Sequence, residues 1–586
     1  MPRTPKRLQP EPAAPPSLRW AWPVLLVVAT FVVYIPAMDG GFVWDDDRYV
    51  ETNQALRDVD GLLTIWFEFD WKKRTFPLNQ YYPMVYTGLW LQYQLWGLET
   101  VGYHLVNIAL HAGNALLLWL ALKRLRFPVA GFAAAVFALH PVHVESVAWI
   151  TELKNVMSGM FYLLALLAYM KFCPLAETEP PKAFRWKWYG VAMLMYVLAL
   201  LSKSVTCSLP AAIVLILWWK RDRLAMRDLV PLAPMFGIGL LLGLMTAVME
   251  KNSIGANGPE WDFSFVERTL IAGRALWFYA GKLFFPVNLT FIYPKWSIDP
   301  SSIVQWIAPT AVVVVMAVLL LRRKRYGNGP LAAVCFFAGT LFPALGYFNI
   351  YPMRYSFVAD HFQYLASIGV IVLGVGVAVR LLPRSAASRG VVGAVVLGLL
   401  AVQTARQATA YEDLETLWRD TVEKNPTGWM GLVSLGAIMK EKGELTEAEA
   451  LYRRALESYP DAPEAHYNLG VLLSDQQLNV EAIKHYRAAL KVKPVDYGTH
   501  NNLGLVLDRL DQLDEALRHY QIAIDIDPKR PGAYANLGVF FAKRGRLDDA
   551  IAVFKRGLER VPNDPNISAG LQRATMMKRA AEKQNG

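Results

Sequence analysis

The sequence predicts an all-α protein in two parts, a polytopic helical membrane domain of about eleven spans followed by a soluble α-solenoid. Three observations lead there. The 586-residue chain is 54% hydrophobic and only 19% charged, with mean hydropathy +0.24, which is unusually apolar for a soluble protein. Up to about residue 406 the apolar residues fall in blocks near the length of a bilayer span, roughly 20 residues each. Beyond that point the sequence turns polar and periodic.

Residues 1–19, with Arg3, Lys6, Arg7 and Arg19, read as a cytoplasmic tail. The apolar block after them is long for a signal peptide and lacks a clear small-residue cleavage site, so it reads as an uncleaved first span. Spans are expected at 20–38, 101–122, 128–140, 156–172, 188–202, 205–219 and 229–248, then at 303–321, 330–348, 362–380 and 391–406. The clusters "KRLRF", "KFCPLAETEPPKAFRWKW", "KRDRLAMRD", "RRKRYGNG" and "RLLPRSAASRG" then all lie inside, as the positive-inside rule requires. Segment 265–287 is treated as interfacial or re-entrant, because it carries Arg268, Arg274 and Lys282 and because counting it would put "RRKRYGNG" outside. An odd number of spans places everything after residue 406 on the outer side, beginning with a connector at 407–428.

The net charge of +11 comes partly from those short clusters, which suggests topology and no nucleic-acid partner. Cys173, Cys207 and Cys335 are an odd number scattered in or beside apolar stretches, so neither a disulfide framework nor a zinc cluster is expected.

The tail repeats every 34 residues: Gly436, Gly470, Gly504 and Gly538; Ala448, Ala482, Ala516 and Ala550; Pro460, Pro494, Pro528 and Pro562. Tyr452, Tyr486, Tyr520 and Phe554 hold an aromatic slot four residues after each alanine. This pattern resembles the tetratricopeptide repeat, in which small residues let paired helices pack closely and a proline ends each second helix. Four repeats occupy 429–564, and 565–586 reads as a capping helix and tail. "NLG" recurs in three of them, placing Asn468, Asn502 and Asn536 at equivalent positions with Ser434 in the first. The ladder is expected to line a groove for a protein or peptide, although asparagine is also simply common at that position.

On the predicted topology, four polar clusters share the outer face. "WDDDRYV" holds Asp45, Asp46 and Asp47; "LHPVHVESVAWITELKN" holds His140, His143, Glu145, Glu152, Lys154 and Asn155. "LLSKSVT" brings Ser202 and Lys203, and "YPMRYSFVADHFQYLASIG" brings Arg354, Asp360, His361 and Tyr364. Any one of these is an ordinary interfacial anchor; four together, against plain Lys/Arg loops on the other face, point to an active site. The chemistry suits transfer from a lipid-anchored phosphate. Asp45 or Asp46 would take a proton from an acceptor hydroxyl or hold a divalent metal. Arg354, His361, Lys154 and Lys203 would neutralise the departing phosphate. His140, His143 and Glu145 have a spacing open to a metal, but Pro141 breaks the helix such ligands usually share, so hydrogen-bonding roles are preferred.

"GFVWDDDRYV", "YHLVNIALHAGNALL", "FALHPVHVESVAWITELKNVMSGMFYLLAL" and "VADHFQYLASIG", followed by the repeats, resemble the transmembrane-and-tetratricopeptide protein O-mannosyltransferases and their bacterial relatives. The resemblance implies a GT-C-class membrane glycosyltransferase domain at 20–406 that uses a polyprenyl-phosphate sugar. It implies inverting transfer, typically of mannose in the eukaryotic members, to Ser or Thr of a protein on the non-cytoplasmic side. Asp45 and Asp46 fall on the family's acidic pair, His140, His143 and Glu145 on its HPxHxE stretch, and Lys154 on its following basic position. Asn155 stands where Asp is common, and Asp360–His361 where Glu-Arg or Asp-Arg is frequent, which makes Arg354 a competing phosphate ligand.

The expected protein is therefore an enzyme of the bacterial inner membrane whose extracytoplasmic array binds the acceptor, with metal dependence open. Two other readings stand beside it. One is a non-catalytic scaffold for envelope proteins; the other is a GT-C enzyme that modifies a lipid-linked glycan.

Overall fold

The computed structural model describes residues 20–68, 81–175, 185–249, 261–382 and 385–585. The tail at 1–19 lies outside them. The described residues are all-helical, and the chain divides into two compact units, Met1–Asp420 and Thr421–Gly586.

The first unit is built from α1 (Ala21–Val33), α2 (Pro83–Trp96), α3 (Thr100–Arg124), α4 (Ala130–Ala138), α5 (Val144–Ala148), α6 (Leu153–Phe172), α7 (Trp186–Leu200) and α8 (Leu209–Arg221). It continues with α9 (Ala233–Met249), α10 (Phe265–Phe284), α11 (Ile307–Leu321), α12 (Gly329–Leu341), α13 (Ser367–Leu381) and α14 (Ala386–Ala408). Among the described residues five helical stretches are long and apolar enough to cross a bilayer, or six if the bent pair Ala130–Ala138 and Pro141–Ala148 counts as one. Four apolar helices, including Ala21–Val33 and Ser367–Leu381, are shorter. Helix α2 lies in a stretch where no span was expected.

Polar side chains inside this unit sit where the backbone breaks. Pro141 stops α4, and the chain turns by 52° into the next helical segment. The carbonyls freed at the break each find a side chain: Phe137 O meets His143 Nδ1 at 2.8 Å, Ala138 O meets His111 Nε2 at 3.1 Å, and Leu139 O accepts from Thr404 Oγ1 at 2.7 Å. Helix α3 supplies a buried stripe of His104, Asn107, His111 and Asn114, whose 3–4–3 spacing keeps them on one face. Asn107 Nδ2 donates to Trp149 O and Ile150 O, and Asn114 Nδ2 to Val156 O and to the Tyr364 hydroxyl. Helix α10 keeps its cations out of an apolar environment: Arg268 donates to the carbonyls of Trp261, Phe263 and Gly346, Lys282 to those of Val287 and Asn288, and Arg274 lies 4.3 Å from the Trp296 ring centre.

The second unit stacks four antiparallel helix pairs. They are α15 (Trp429–Glu441) with α16 (Leu445–Ser458), α17 (Pro463–Asp475) with α18 (Asn479–Val492), α19 (Tyr497–Arg509) with α20 (Leu513–Ile526), and α21 (Gly532–Lys543) with α22 (Leu547–Arg560). Helix α23 (Pro565–Asn585) packs on the last pair. The period has a steric cause. A Cβ on Gly436, Gly470, Gly504 or Gly538 would lie 2.7, 2.8, 2.9 or 2.3 Å from the ring of Tyr452, Tyr486, Tyr520 or Phe554, all of them buried. Two histidine pairs share the period: His466 Nδ1 lies 2.9 Å from His485 Nδ1, and His500 Nδ1 lies 2.8 Å from His519 Nδ1. The remaining nitrogens of His466 and His500 meet the carbonyls of Pro460 and Pro494.

Candidate active site

The three aspartates after α1 point in different directions because a tight turn separates them. Trp44 takes a left-handed backbone (φ 51°) and seats its ring against Trp418 and Phe291, with centroids 5.1 and 6.0 Å away. Asp46 is fully buried; its Oδ2 accepts from Val43 N and its Oδ1 from Thr151 N, both at 2.9 Å. Burial pushes this carboxyl up to about 7 against those two donors, which favour its charged form. Asp47 is exposed and accepts from Arg48 N at 2.6 Å. Asp45 is partly exposed, and its carbonyl, not its carboxylate, holds the turn by accepting from Arg48 N and Tyr49 N. Burial raises the Asp45 carboxyl, while the charges of Lys154 and then Arg48 draw it back down.

Lys154 leads into the centre of the cluster. Its ammonium lies 2.7 Å from Glu152 Oε1 and sits near the rings of Trp149 and Tyr49, 5.4 and 5.8 Å from their centres. Glu152, wholly buried, also faces Lys203 Nζ at 3.5 Å. Both lysines keep about a seventh of their side chains exposed. Burial lowers Lys203 to about 8, opposed by the Glu152 charge. Asn155 ties the group together. Its Oδ1 accepts from Lys203 at 2.6 Å, and its Nδ2 donates to Glu152, to Ser146 Oγ at 3.0 Å and to the His361 carbonyl at 2.9 Å.

Glu145 Oε2 accepts from the backbone N of His361 at 2.8 Å, and its Oε1 lies 2.9 Å from His361 Nδ1 without hydrogen-bond geometry. Beside it, Asp360 accepts from the Tyr293 hydroxyl at 2.8 Å and from Gln363 Nε2 at 3.3 Å, and burial followed by the Glu145 charge raises its carboxyl. Arg354 belongs to the neighbouring turn Tyr351–Arg354, where its carbonyl accepts from Lys295 and its guanidinium lies 5.7 Å from the Tyr355 ring centre.

The structure thus brings together Lys154, Lys203, Glu145 and His361, joined by Glu152 and Asn155, with Asp360 next to His361 in the chain and Asp45 within reach of the Lys154 charge. His140 bonds Leu283 O through Nε2 and accepts from Val142 N through Nδ1, while His143 bridges Phe137 O and Ser367 Oγ. With both ring nitrogens of each engaged, these two do not fit a metal, and no group of three His, Cys, Asp or Glu side chains among the described residues does. Tyr293 and the α3 stripe received no role from the sequence, and Tyr364, placed there in the outer cluster, instead bonds His111 and Asn114 of that stripe. Four polar residues on one face of a 25-residue apolar helix were the available signal for the stripe.

In the second unit a cavity of about 410 Å³ is lined by Ser434, Tyr467, Asn468, Lys493, Asp496 and Arg530 among others. Asn502 donates to the Tyr467 hydroxyl at 3.2 Å, and Asn536 to Asn501 Oδ1 at 2.9 Å.

The family model "Tetratricopeptide repeat" matches residues 440–497 and 501–565. A protein O-mannosyl-transferase of Caenorhabditis elegans is 32% identical over 156 residues, covering 25% of this chain and 23% of the relative. One of Homo sapiens is 31% identical over 164 residues, covering 27% and 19%. The matches span about a fifth to a quarter of the length of these relatives. Two solved structures align with low overall similarity. One is MamA, at 25% identity over 25% of this chain and 85% of its own, with TM-score 0.24. The other is YrrB, described as a TPR protein with an unusual peptide-binding site, at 24% identity over 28% of this chain and 84% of its own, with TM-score 0.25. The chain is a helical, membrane-type protein with a tetratricopeptide array, related in sequence to the protein O-mannosyltransferases.

Proposed function

We propose that the chain is a membrane glycosyltransferase that moves a sugar, mannose by analogy with its relatives, from a polyprenyl-phosphate donor to Ser or Thr of a protein. The observation that carries this is the pair Lys154 and Lys203 on either side of the buried Glu152, with Asp45 near enough for the Lys154 charge to act on it. Each of the two ammonium groups can give a phosphate a charge-assisted hydrogen bond. The acceptor oxygen attacks the anomeric carbon as Asp45 takes its proton. The bond from that carbon to the phosphate oxygen breaks, and polyprenyl phosphate leaves with the electron pair, its new charge met by the two lysines. A carboxyl raised by burial is the better base towards a hydroxyl.

Asp46 is assigned a positioning role, since its two oxygens tie the turn to Thr151 N, next to the Glu152–Lys154 segment. Glu145 positions His361, so the donor phosphate is given first to Lys154 and Lys203, and Arg354 is assigned to the approach of the donor. The array binds the acceptor through the cavity beside Asn468; Asn502 holds the lining Tyr467, while Asn536 lies outside that lining and bonds Asn501. On the eleven-span reading the array lies outside the cytoplasm, in a bacterial case beyond the inner membrane. A reporter fused after residue 586 that works only in the cytoplasm would overturn that orientation.

The test of function compares intact envelope-protein masses in cells carrying the wild-type chain, no chain, or Lys154→Ala/Lys203→Ala. Sugar-sized increments on proteins, present only with the wild type, are the expected result. Unchanged protein masses with an altered lipid-linked glycan would favour the glycan-modifying reading, and no change in either would favour a scaffold.

A further inference from the structure

The first unit contains a second cavity, apart from the lysine–carboxylate cluster. It is an apolar crevice of about 390 Å³ walled by α3, α6, α8, α12 and α13, with Leu122, Leu166, Ile216, Phe336 and Val372 among its lining. Along α13 it runs from Ile368 to Arg380, a rise of about 18 Å at the helical repeat. Its far end lies near Tyr162, and its mouth lies where α3 and α8 finish and α12 begins.

The mouth is cationic. Arg380 lines it directly. Lys220 sits 3.8 Å from the ring centre of Trp219, itself a lining residue, and Arg126, in a left-handed turn (φ 53°), is close enough for its charge to bear on Lys220. Two like charges side by side are unfavourable without a counter-charge. Among the described residues no carboxylate pairs with Arg126, Lys220 or Arg380: Asp228 is held by Arg221, and Asp222 by the amide of Asn328. Lys220 also donates to the Leu125 carbonyl at 2.5 Å, next to Arg126 in the chain. An apolar slot of acyl-chain length beneath three cations without a carboxylate partner has the chemistry of an anionic lipid site.

We propose that this crevice binds one anionic phospholipid, an acyl chain lying along α13 and the phosphate held by Arg126, Lys220 and Arg380. A phospholipid is chosen over a spent polyprenyl phosphate because the crevice ends at Tyr162 and Ile368, with a length suited to a single short chain. The test uses the full chain purified into nanodiscs of phosphatidylcholine with equimolar phosphatidylglycerol, and native mass spectrometry of the lipid retained after delipidation. The wild type is expected to keep one phosphatidylglycerol. Arg380→Gln and Lys220→Gln should each cut the preference for it about fivefold, the scale of one basic residue near an anionic headgroup. Gly376→Leu, which fills the crevice from α13, should abolish retention; Val377→Trp repeats the test from the rim if that variant does not fold. Equal retention of both phospholipids, retention undiminished by either filling variant, or displacement by an equimolar polyprenyl phosphate would each overturn the assignment.

Discussion

Replacing each of the adjacent aspartates by asparagine should give two opposite phenotypes. Asp46 accepts from Val43 N and Thr151 N with different oxygens, both at 2.9 Å. An asparagine has one acceptor oxygen, so its NH2 must face one of those N–H groups. The loss of a hydrogen bond to a charged group, about 1.5–3 kcal/mol, adds to a buried N–H left without an acceptor, and the sum comes to roughly 3–5 kcal/mol. Neutralising a carboxyl that burial has raised to about 7 offsets most of it, leaving about 1 kcal/mol of destabilisation. Asp45 holds its turn through its backbone carbonyl, so Asp45→Asn should leave stability within about 0.5 kcal/mol of wild type. It should instead lose about 10²–10⁴-fold in rate, as expected for a missing general base. The assays are thermal unfolding in detergent and transfer from a polyprenyl-phosphate sugar to an acceptor peptide. The reasoning fails if Asp45→Asn transfers at the wild-type rate, or if Asp46→Asn melts with the wild type.

Asn155→Asp removes the two amide N–H donors shared among Glu152, Ser146 Oγ and the His361 carbonyl and adds a second carboxylate beside Glu152; a unit charge about 5 Å away at an effective dielectric of 20 is worth about 3 kcal/mol, so donor KM should rise at least tenfold, with an unchanged KM counting against a phosphate site there. Gly538→Ala puts a Cβ 2.3 Å from the buried Phe554 ring, and overpacking less the gain in helix propensity should cost about 1–2 kcal/mol, read as a lower melting temperature. Acid should loosen the array. Burial and then the His466 charge lower His485 from its usual range to about 4, so the unfolded chain takes a proton below about 6.5 that the folded chain refuses until about 4. Stability therefore falls as pH drops through that window. The ring is partly exposed, which limits the loss to about 1 kcal/mol, and the protection factors of α17 and α18, corrected for the pH dependence of the intrinsic exchange rate, should be lower at pH 5 than at pH 7.5 by less in His485→Gln than in the wild type.

The repeat array was legible because its constraint is local. Each glycine answers to an aromatic ring 16 residues later, and that relation recurs four times. The clustering of charged residues at the ends of apolar blocks was legible for the same reason. The separate tasks of Asp45 and Asp46 were not, since they depend on Thr151, 105 residues away, reaching one side of the turn. Glu152 reads in sequence as one acid among several; only the fold puts it between Lys154 and Lys203. The α3 stripe was visible as polar residues in an apolar helix, but its targets are carbonyls far along the chain, at breaks near Ala138 and Trp149 and inside α6 at Val156. Helix α2 is short and its apolar face is interrupted, so hydropathy alone gave it no weight.

The break at Pro141 also constrains how the protein is made. Leu139 O finds its partner in Thr404, 265 residues further along the chain. At roughly 5–20 residues per second, the ribosome needs on the order of 13–53 s to supply that hydroxyl after the proline has been translated. For that interval the nascent first half holds an open carbonyl at the end of a membrane segment, which only water or a polar headgroup can meet. The two halves of the bent helix must therefore wait, either in contact with water or with the insertion machinery, and settle into their final angle only when α14 arrives. Truncating the chain before residue 404 should for that reason lengthen its association with the translocon rather than release a smaller stable domain.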